Sequence, residues 1–274
     1  MRLIWNAMST APLLQTQELR KTYSRMRGLF AGDAAGRFTA VDGVSFSVAT
    51  GETFAVVGES GCGKTTLARM LLRLIEPDSG ELRFAGADLL ALHGAALRAQ
   101  RRQMQMVFQD PFASLDPRMR VGEIVGEPLA IHQAEMGKTE RQEHAAAMLQ
   151  RVGLESDAMR RFPHEFSGGQ RQRIGIARAL ILRPKLVVAD EPVSALDVSV
   201  GAQVLLLLQE LQREFGLTYI FISHALPVVA QVATRIAVMR AGKFVEVGAA
   251  DQILRQPNDG YTRELLAAVP ALPS

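Results

Sequence analysis

The sequence predicts an α/β fold with a mixed central sheet, an antiparallel β region at the N-terminus and an inserted helical subdomain. Three short and mainly apolar segments indicate the parallel part of the sheet, because strands buried on both faces are apolar throughout. They are Thr53–Val57, Leu186–Asp190 and Thr218–Ser223. Amphipathic helical patterns separate them, and strands that alternate with helices are typical of parallel pairing. A chain of 274 residues suits one such domain.

Composition and charge exclude several classes of protein. Hydrophobic residues make up 48% and charged residues 22%, values typical of a globular chain and not of a disordered or fibrous one. The longest apolar runs fall well short of the roughly 20 residues that a membrane-spanning helix needs. Basic residues exceed acidic ones by 31 to 28 and are scattered, so nucleic-acid binding gains no support. The single cysteine, Cys62, fits a reducing compartment.

The first half of the chain is predicted to hold five strands and one helix. The strands are residues 13–23, 41–49, 53–57, 81–87 and 104–108, and the last two are expected to form a pair. The helix covers residues 65–75 and carries an apolar face formed by Leu67, Met70, Leu71 and Leu74. It ends at a cluster of Pro, Asp, Ser and Gly that breaks helices.

The second half begins with the inserted helical subdomain, at about residues 110–182. Its predicted helices are residues 139–152 and 167–182. Beyond it come strands at 186–190 and 218–223, a helix at 199–215 and a hairpin at 235–248. These elements predict a single domain over residues 13–269, with a core at about 13–109 and 183–250 and a C-terminal helical tail at 251–274.

A glycine-rich loop joins the strand at residues 53–57 to the helix that follows. Its pattern is G-x-x-x-x-G-K-[ST], in which inward-facing backbone N–H groups and a helix N-terminus surround phosphate oxygens. Lys64 reaches the terminal phosphates and the Thr65 hydroxyl coordinates Mg²⁺. The loop therefore predicts a site for the phosphates of a nucleotide and for Mg²⁺, formed by Gly58, Glu59, Ser60, Gly61, Cys62, Gly63, Lys64, Thr65 and Thr66. Cys62 is either a tolerated small residue or a reactive thiol whose pKa the loop dipoles lower.

Two carboxylates follow the apolar strand that ends at residue 190. Ligands of α/β sheets bind at the carboxyl ends of parallel strands, which is where Asp190 and Glu191 lie. We expect Asp190 to hold the Mg²⁺ hydration shell and Glu191 to orient and deprotonate the water that attacks the γ-phosphate. Together with the phosphate loop, these acids predict a nucleoside triphosphatase.

A second glycine-rich turn, Phe166-Ser-Gly-Gly-Gln170, precedes the helix predicted at residues 167–182. Ser167 is suited to cap that helix, whose exposed amides form a second anion-binding terminus. From residue chemistry alone the turn is either a structural turn or part of a phosphate site. The phosphate loop already supplies one anion-binding helix terminus, and a single active site does not need a second.

In combination these motifs resemble those of the nucleotide-binding subunits of ATP-binding cassette (ABC) transporters, over roughly residues 13–269. The loop at 58–65 matches the family's Walker A motif, and 186–191 matches its Walker B strand. Gln109 resembles the Q-loop glutamine, residues 166–170 the signature motif, Asp197 the D-loop aspartate and His224 the switch histidine. Tyr23 lies where the family places its adenine-stacking aromatic. The resemblance implies a P-loop NTPase core of the RecA-like type.

The family further implies a head-to-tail dimer that encloses each ATP between the Walker A loop of one protomer and the signature motif of the other. On this basis Ser167, Gly168, Gly169 and Gln170 bind ATP across the interface, and Asp197 bridges the protomers. His224 contacts the γ-phosphate from its own chain. Gln109 links the metal and the water to the helical subdomain.

Three longer stretches resemble the dipeptide, oligopeptide and nickel importer branch of the family; they span residues 108–118, 162–180 and 190–197. That branch implies two integral-membrane permeases, a second ATPase subunit that is a relative or a second copy, and an extracytoplasmic solute-binding protein. It also implies a peripheral position on the cytoplasmic face of the bacterial inner membrane. This chain departs from the branch at Ala225 and Pro227, which replace a carboxylate-containing segment after His224.

Two other functions are compatible with an ABC cassette. One is a soluble ATPase that acts on DNA or ribosomes, but such proteins usually carry long coiled coils between the Walker motifs or two cassettes. The other is a regulatory cassette without turnover, which the intact Lys64, Glu191, Ser167 and His224 argue against. We therefore expect an ATP-hydrolysing importer subunit. The transported solute is outside what this sequence determines, because selectivity belongs to the binding protein and the permeases.

Overall fold

The computed structural model describes residues 11–24, 36–110 and 114–268. In chain order the strands are β1 (Leu14–Ser24), β2 (Arg37–Val48), β3 (Thr53–Val57), β4 (Ser79–Phe84), β5 (Ala87–Asp88), β6 (Met104–Val107), β7 (Leu186–Asp190), β8 (Thr218–Ser223), β9 (Arg235–Arg240) and β10 (Lys243–Ala249). The α-helices are α1 (Lys64–Leu71), α2 (Gly94–Arg102), α3 (Val121–His132), α4 (Lys138–Arg151), α5 (Gly168–Leu180), α6 (Val198–Phe215), α7 (Leu226–Val232), α8 (Ala250–Arg255) and α9 (Gly260–Ala267). Two 3₁₀ turns, Ser156–Arg160 and Pro163–Glu165, separate α4 from α5.

The strands form two sheets. The first has the order β2-β1-β4-β5 and is antiparallel throughout. The second has the order β10-β9-β3-β8-β7-β6, in which every pair is parallel except the terminal β9–β10 hairpin. The predicted mixed sheet, antiparallel N-terminal region and C-terminal hairpin are therefore confirmed.

The central sheet is covered on both faces, which explains its apolar strands. Phe54 and Val56 of β3 belong to one hydrophobic cluster, which is shared with the N-terminal sheet and α1. The alternate residues Ala55 and Val57 belong to a second cluster, shared with α3 to α7. Side chains alternate across a strand, so a strand buried on both sides needs apolar residues at every position.

The helices α3, α4 and α5 form a separate bundle that is inserted between β6 and β7. They pack through buried residues that include Ile124, Leu149 and Ile174. Two arginines of α5 face inwards, towards carbonyl groups: Arg173 donates to the Val152 oxygen at 2.8 Å and Arg178 to the Ser114 oxygen at 2.5 Å. These contacts fix α5 within the bundle, which gives the basic residues of that helix a structural role.

Two details of the first half differ from prediction. Helix α1 ends at Leu71, before the predicted residue 75, because Arg73 has a positive φ of 50° and turns inwards to bind the Leu89 carbonyl at 2.5 Å. Leu74 is consequently half exposed.

The predicted pairing of residues 81–87 with 104–108 is wrong. Strand β4 pairs with β1 whereas β6 pairs with β7, because α2 carries the chain from one sheet to the other.

The segment after His224 is compatible with its unusual proline. Pro227 occupies the first turn of α7, where a missing N–H removes no helical hydrogen bond. Leu226 and Val229 of this helix are buried, and Ser223 Oγ accepts a hydrogen bond from the Ala225 amide at 3.0 Å.

Across the part of the chain that the structure describes, no helix is long and apolar enough to cross a membrane.

Candidate nucleotide site

The phosphate loop and the residues predicted to act in catalysis and metal binding meet at one edge of the central sheet. Strands β3, β7 and β8 are parallel neighbours, so their carboxyl ends lie side by side. The glycine-rich loop follows β3, the two acids stand at the end of β7, and His224 directly follows β8. Segments that are more than 150 residues apart in the chain thereby form one polar cleft, at the position where α/β sheets bind ligands.

The shape of the loop depends on glycine at two positions. A Cβ atom at Gly58 would lie 2.1 Å from the Met239 carbonyl oxygen of β9. At Gly63 it would lie 2.0 Å from the Ala40 oxygen of β2, and φ there is +112°, which disfavours other residues. Gly63 also forms the N-cap of α1, and its carbonyl accepts from the Leu67 amide at 2.9 Å. Backbone atoms of both sheets therefore pack closely against the loop and leave no room for a side chain at these two positions.

Lys64 lies inside this loop, with only 4% of the residue exposed. Its Nζ donates to the Gly58 carbonyl at 2.7 Å and to the Glu59 carbonyl at 2.8 Å. A buried ammonium group requires such partners, since burial without them is costly. The lysine is therefore held at the start of α1, where an anionic ligand would gain from its charge and from the helix dipole.

Thr65 and Asp190 form a pair of oxygen donors beside the loop, with Thr65 Oγ1 3.4 Å from Asp190 Oδ1. Burial raises the pKa of Asp190, and the neighbouring charge of Glu191 acts in the same direction. The hydrogen bond from Thr65 and the positive charges of Arg69 and Lys64 oppose that rise. A hydroxyl and a destabilised carboxylate match the hard oxygen ligands that Mg²⁺ prefers, and the cation would offset the cost of burying Asp190. The residues present therefore fit a magnesium ion.

Glu191 is the centre of a second cluster. Gln109 donates from Nε2 to Glu191 Oε2 at 3.1 Å, and His224 Nδ1 lies 3.0 Å from the same oxygen. The glutamate side chain is 13% exposed, and its backbone has a positive φ of 47°. A non-glycine residue at positive φ is a form of strain that occurs often at active sites. The structure thus brings together the three residues predicted to be catalytic.

The turn at residues 166–170 behaves as predicted for a helix start. Ser167 Oγ accepts from the Gln170 amide at 3.3 Å, while Gln170 Oε1 accepts from the Ser167 amide at 3.0 Å. This reciprocal pair confirms Ser167 as the N-cap of α5. Gly169 is buried against Val200 of α6, and a Cβ there would lie 2.3 Å from Val200 Cγ1. None of the hydrogen bonds found among the described residues joins this turn to the phosphate loop.

Several predicted residues lie on the surface around the cleft. Asp197 is exposed and begins α6, beside Val198, which is 92% exposed. Ser60 and Gly61 are exposed at the tip of the loop. Tyr23 is partly exposed on β1, where the ammonium of Lys21 lies 5.8 Å from its ring centre. A flat aromatic surface is therefore open to solvent on the N-terminal sheet.

Of the two interpretations of Cys62, the structure contradicts the reactive thiol with a lowered pKa. The residue is buried, and burial raises the pKa of the thiol despite the nearby charge of Lys64. A protonated, buried thiol behaves as a small apolar residue, which was the alternative interpretation.

One contact to the loop was missed entirely. The Tyr261 hydroxyl, from α9 at the end of the described chain, accepts a hydrogen bond from the Glu59 amide at 3.4 Å. The two residues are 202 positions apart, and no local pattern around Tyr261 indicates a partner.

Comparison with known proteins identifies the family. Residues 41–194 match the ABC transporter family. The chain belongs to that family. It is 51% identical over 261 residues to the dipeptide transport ATP-binding protein DppF of Escherichia coli (strain K12), an alignment that covers 95% of this chain and 77% of that protein. It is 50% identical over 260 residues to the di/tripeptide transport ATP-binding protein DppF of Pseudomonas aeruginosa (strain UCBPP-PA14), covering 95% and 80%.

A solved structure gives the same result for the fold. The dimeric ATP-binding cassette MJ0796, in a post-hydrolysis state bound to ADP and Pi, superimposes with a TM-score of 0.76 at 29% identity. The match covers 86% of this chain and 98% of that one. The predicted fold class and family are therefore confirmed, and the chain is an ATP-binding ATPase of the class coupled to transport. The alternative of an ATPase acting on DNA or ribosomes gains no support from these relatives.

Proposed function

We propose that this ABC protein is the ATP-hydrolysing subunit of a bacterial importer of peptides or related small solutes. The observation that carries the proposal is the convergence of Lys64, Asp190, Glu191 and His224 at one edge of the sheet, in a chain about half identical to dipeptide transport ATP-binding proteins. Fold alone supports many activities, so the chemistry of this cleft and the close relatives carry the argument together.

Each residue of the cleft has a role that follows from its position. Lys64 neutralises charge on the terminal phosphates, and the amides at the start of α1 bind their oxygens. Glu191 accepts a hydrogen bond from Gln109 and has His224 Nδ1 3.0 Å from the same oxygen, so its carboxylate is held in one orientation for taking a proton from water. Because Nδ1 of His224 lies beside that carboxylate, its Nε2 is directed elsewhere and is suited to contact the γ-phosphate.

Thr65 and Asp190 would hold Mg²⁺, with Gln109 as a third contributor. When bound, this cation neutralises the charge of the phosphate oxygens. Gln109 stands 3.1 Å from Glu191, and it follows Phe108, whose carbonyl accepts from Gln172 of α5 at 3.4 Å. These contacts connect the cleft to the helical bundle.

A second cassette completes each site in this proposal. The turn at residues 166–170 presents a helix N-terminus, and within the described part of the chain it makes no hydrogen bond to the phosphate loop, so it is suited to phosphates held by another copy. The exposed Asp197 and Val198 lie at the start of α6, between Leu196 and Val200, which pack against Gly168 and Gly169 of the turn; they would face the partner. Tyr23 would stack on the adenine. The closed dimer makes contacts to the phosphates that the open dimer lacks, so ATP favours closure. Hydrolysis removes this difference in affinity and allows the dimer to open.

The whole protein would work as one ABC ATPase domain over residues 13–269. Its core, at about 13–109 and 183–250, binds the nucleotide, and the helical subdomain at about 110–182 moves against it. The tail from 251 completes the domain. Its partners would be two permeases, a relative or second copy as the other ATPase, and indirectly an extracytoplasmic binding protein. The subunit would lie on the cytoplasmic face of the inner membrane.

Glu191→Gln tests the hydrolytic role. The substitution keeps the size of the side chain and removes its basicity, so steady-state ATP hydrolysis should fall by about a hundredfold or more while ATP binding is retained. Phosphate release and binding of a fluorescent ATP analogue measure the two properties. Glu210→Gln makes the same change on the exposed face of α6 and should alter neither. Turnover that is unchanged in Glu191→Gln would remove Glu191 from the role of base.

Affinity purification in mild detergent tests the transport role. The tagged chain is isolated from its native membranes, and mass spectrometry identifies the proteins that accompany it. Two polytopic permeases and a second cassette protein would support the importer. Recovery of ribosomes or DNA-associated proteins, with nothing from the membrane fraction, would contradict it and leave only the ATPase.

A further inference from the structure

The C-terminal helix α9 contacts the phosphate loop through Tyr261, a residue that the nucleotide chemistry described above does not use. Only 6% of Tyr261 is exposed, so the residue is packed against the protein. That hydroxyl accepts a hydrogen bond from the Glu59 amide at 3.4 Å. The guanidinium of Arg240 lies 4.5 Å from the centre of the tyrosine ring.

The peptide group that receives this contact also contacts the phosphate-binding lysine. The amide N–H of Glu59 and the carbonyl of Gly58 belong to a single planar unit. Tyr261 Oη binds the N–H end of that unit, and Lys64 Nζ donates to the carbonyl end at 2.7 Å. A rotation of the plane would move both ends together, so Tyr261 and Lys64 restrain each other through one rigid peptide.

The base of α9 is itself firmly anchored. The Asp259 carboxylate caps the helix by accepting from the Tyr261 amide at 2.8 Å and the Thr262 amide at 3.3 Å. The Glu246 carboxylate of β10 accepts from the amides of Asn258 at 2.8 Å and Asp259 at 3.1 Å. Tyr261 therefore stands on a fixed support, as a residue must if it is to hold a loop in place.

We propose that Tyr261 is a positioning residue for ATP binding, which acts by orienting the Gly58–Glu59 peptide and through it Lys64. The inference rests on the proposed role of Lys64 in binding phosphates. It gives the C-terminal tail a function in the nucleotide site of its own chain: displacement of α9 would loosen the loop and weaken ATP binding.

Tyr261→Phe tests the inference because it removes the hydroxyl and keeps the ring on Arg240. Loss of one hydrogen bond should raise the Kd for trinitrophenyl-ATP, and the KM for ATP, by roughly two- to tenfold with little change in kcat. The matched control is Tyr219→Phe, which loses a buried hydroxyl that donates to the Leu208 carbonyl at 3.2 Å, remote from the loop. It should lower the Tm by about 2 to 4 °C and leave the Kd unchanged.

A double-mutant cycle with Lys64→Met separates this inference from the proposed function. If Tyr261 acts through Lys64, Tyr261→Phe adds no further loss of binding to Lys64→Met. Losses that multiply, an unchanged Kd in Tyr261→Phe, or an equal loss in Tyr219→Phe would each overturn the role of Tyr261. If Lys64→Met itself binds trinitrophenyl-ATP as tightly as the unmodified protein, the proposed role of Lys64 fails instead.

Discussion

Replacement of Gly63 by alanine tests how the two sheets set the shape of the phosphate loop. The Cβ atom would lie 2.0 Å from the Ala40 oxygen and 3.0 Å from Met239 Cε. The first contact is short by about 1 Å, so the backbone of β2 or of the loop has to move. Gly61 provides the control, since it also has a positive φ, of +82°, but no atom lies within 4 Å of its Cβ position.

The two variants share one energetic cost and differ in a second. Alanine at positive φ costs about 1 to 2 kcal/mol in either position. Gly63→Ala adds the cost of overpacking, about 1 to 3 kcal/mol. For a chain of this size each kcal/mol lowers the Tm by about 2 to 4 °C, so Gly63→Ala should melt roughly 2 to 12 °C below Gly61→Ala.

Thermal denaturation followed by circular dichroism, without nucleotide, measures this difference. The same scans with saturating ATP measure binding, because a ligand that binds only the folded state raises its stability. We expect the ATP-dependent rise in Tm to be lost in Gly63→Ala, since the amides of the loop have shifted. Equal melting temperatures for the two variants would refute the argument that contact with Ala40 shapes the loop.

Two further predictions concern Asp190 and Arg178. Burial raises the pKa of Asp190, so the folded state holds its proton more tightly than the unfolded state and loses stability as the pH rises above about 4. Asp190→Asn removes both this pH-dependent loss of stability and the Mg²⁺ ligand. It should melt no lower than the unmodified protein at pH 7 without Mg²⁺, and it should lack the Mg²⁺-dependent increase in Tm that we expect for the unmodified protein with ATP. A Mg²⁺ effect of full size in this variant would exclude Asp190 as a ligand. Arg178→Ala breaks the bond to the Ser114 carbonyl and should cost about 1 to 3 kcal/mol, measured by urea denaturation. Arg213→Ala, on the exposed face of α6, should cost less than about 0.5 kcal/mol, and an equal loss in the two variants would contradict the structural role of Arg178.

Local chemistry made much of the site predictable. The loop at residues 58–65 lies between a strand and a helix, and Ser167 precedes a helix with Gln170 three positions later. Such patterns depend on spacings of a few residues, which a sequence displays directly. The end of α1 was less predictable: the apolar spacing continues to Leu74, but the buried Arg73 has partners on a segment 16 or more residues away.

Contacts between distant segments needed the structure. The sequence indicates that Gln109, Glu191 and His224 belong to known motifs. Only the strand order β8-β7-β6 places Gln109 and His224 beside the same carboxylate oxygen of Glu191. The pKa of Cys62 is a similar case, since burial by neighbouring elements outweighs the local loop dipoles.

By itself the sequence determined the fold class, the family and the identity of the phosphate-binding loop, because each depends on short-range pattern and residue type. The tertiary structure decided which sheet receives β4 and β6, why Gly58 and Gly63 admit no side chain, and that Tyr261 contacts the loop from the far end of the chain. These features depend on packing between segments tens to hundreds of residues apart, and such packing leaves no periodic signal in either segment alone.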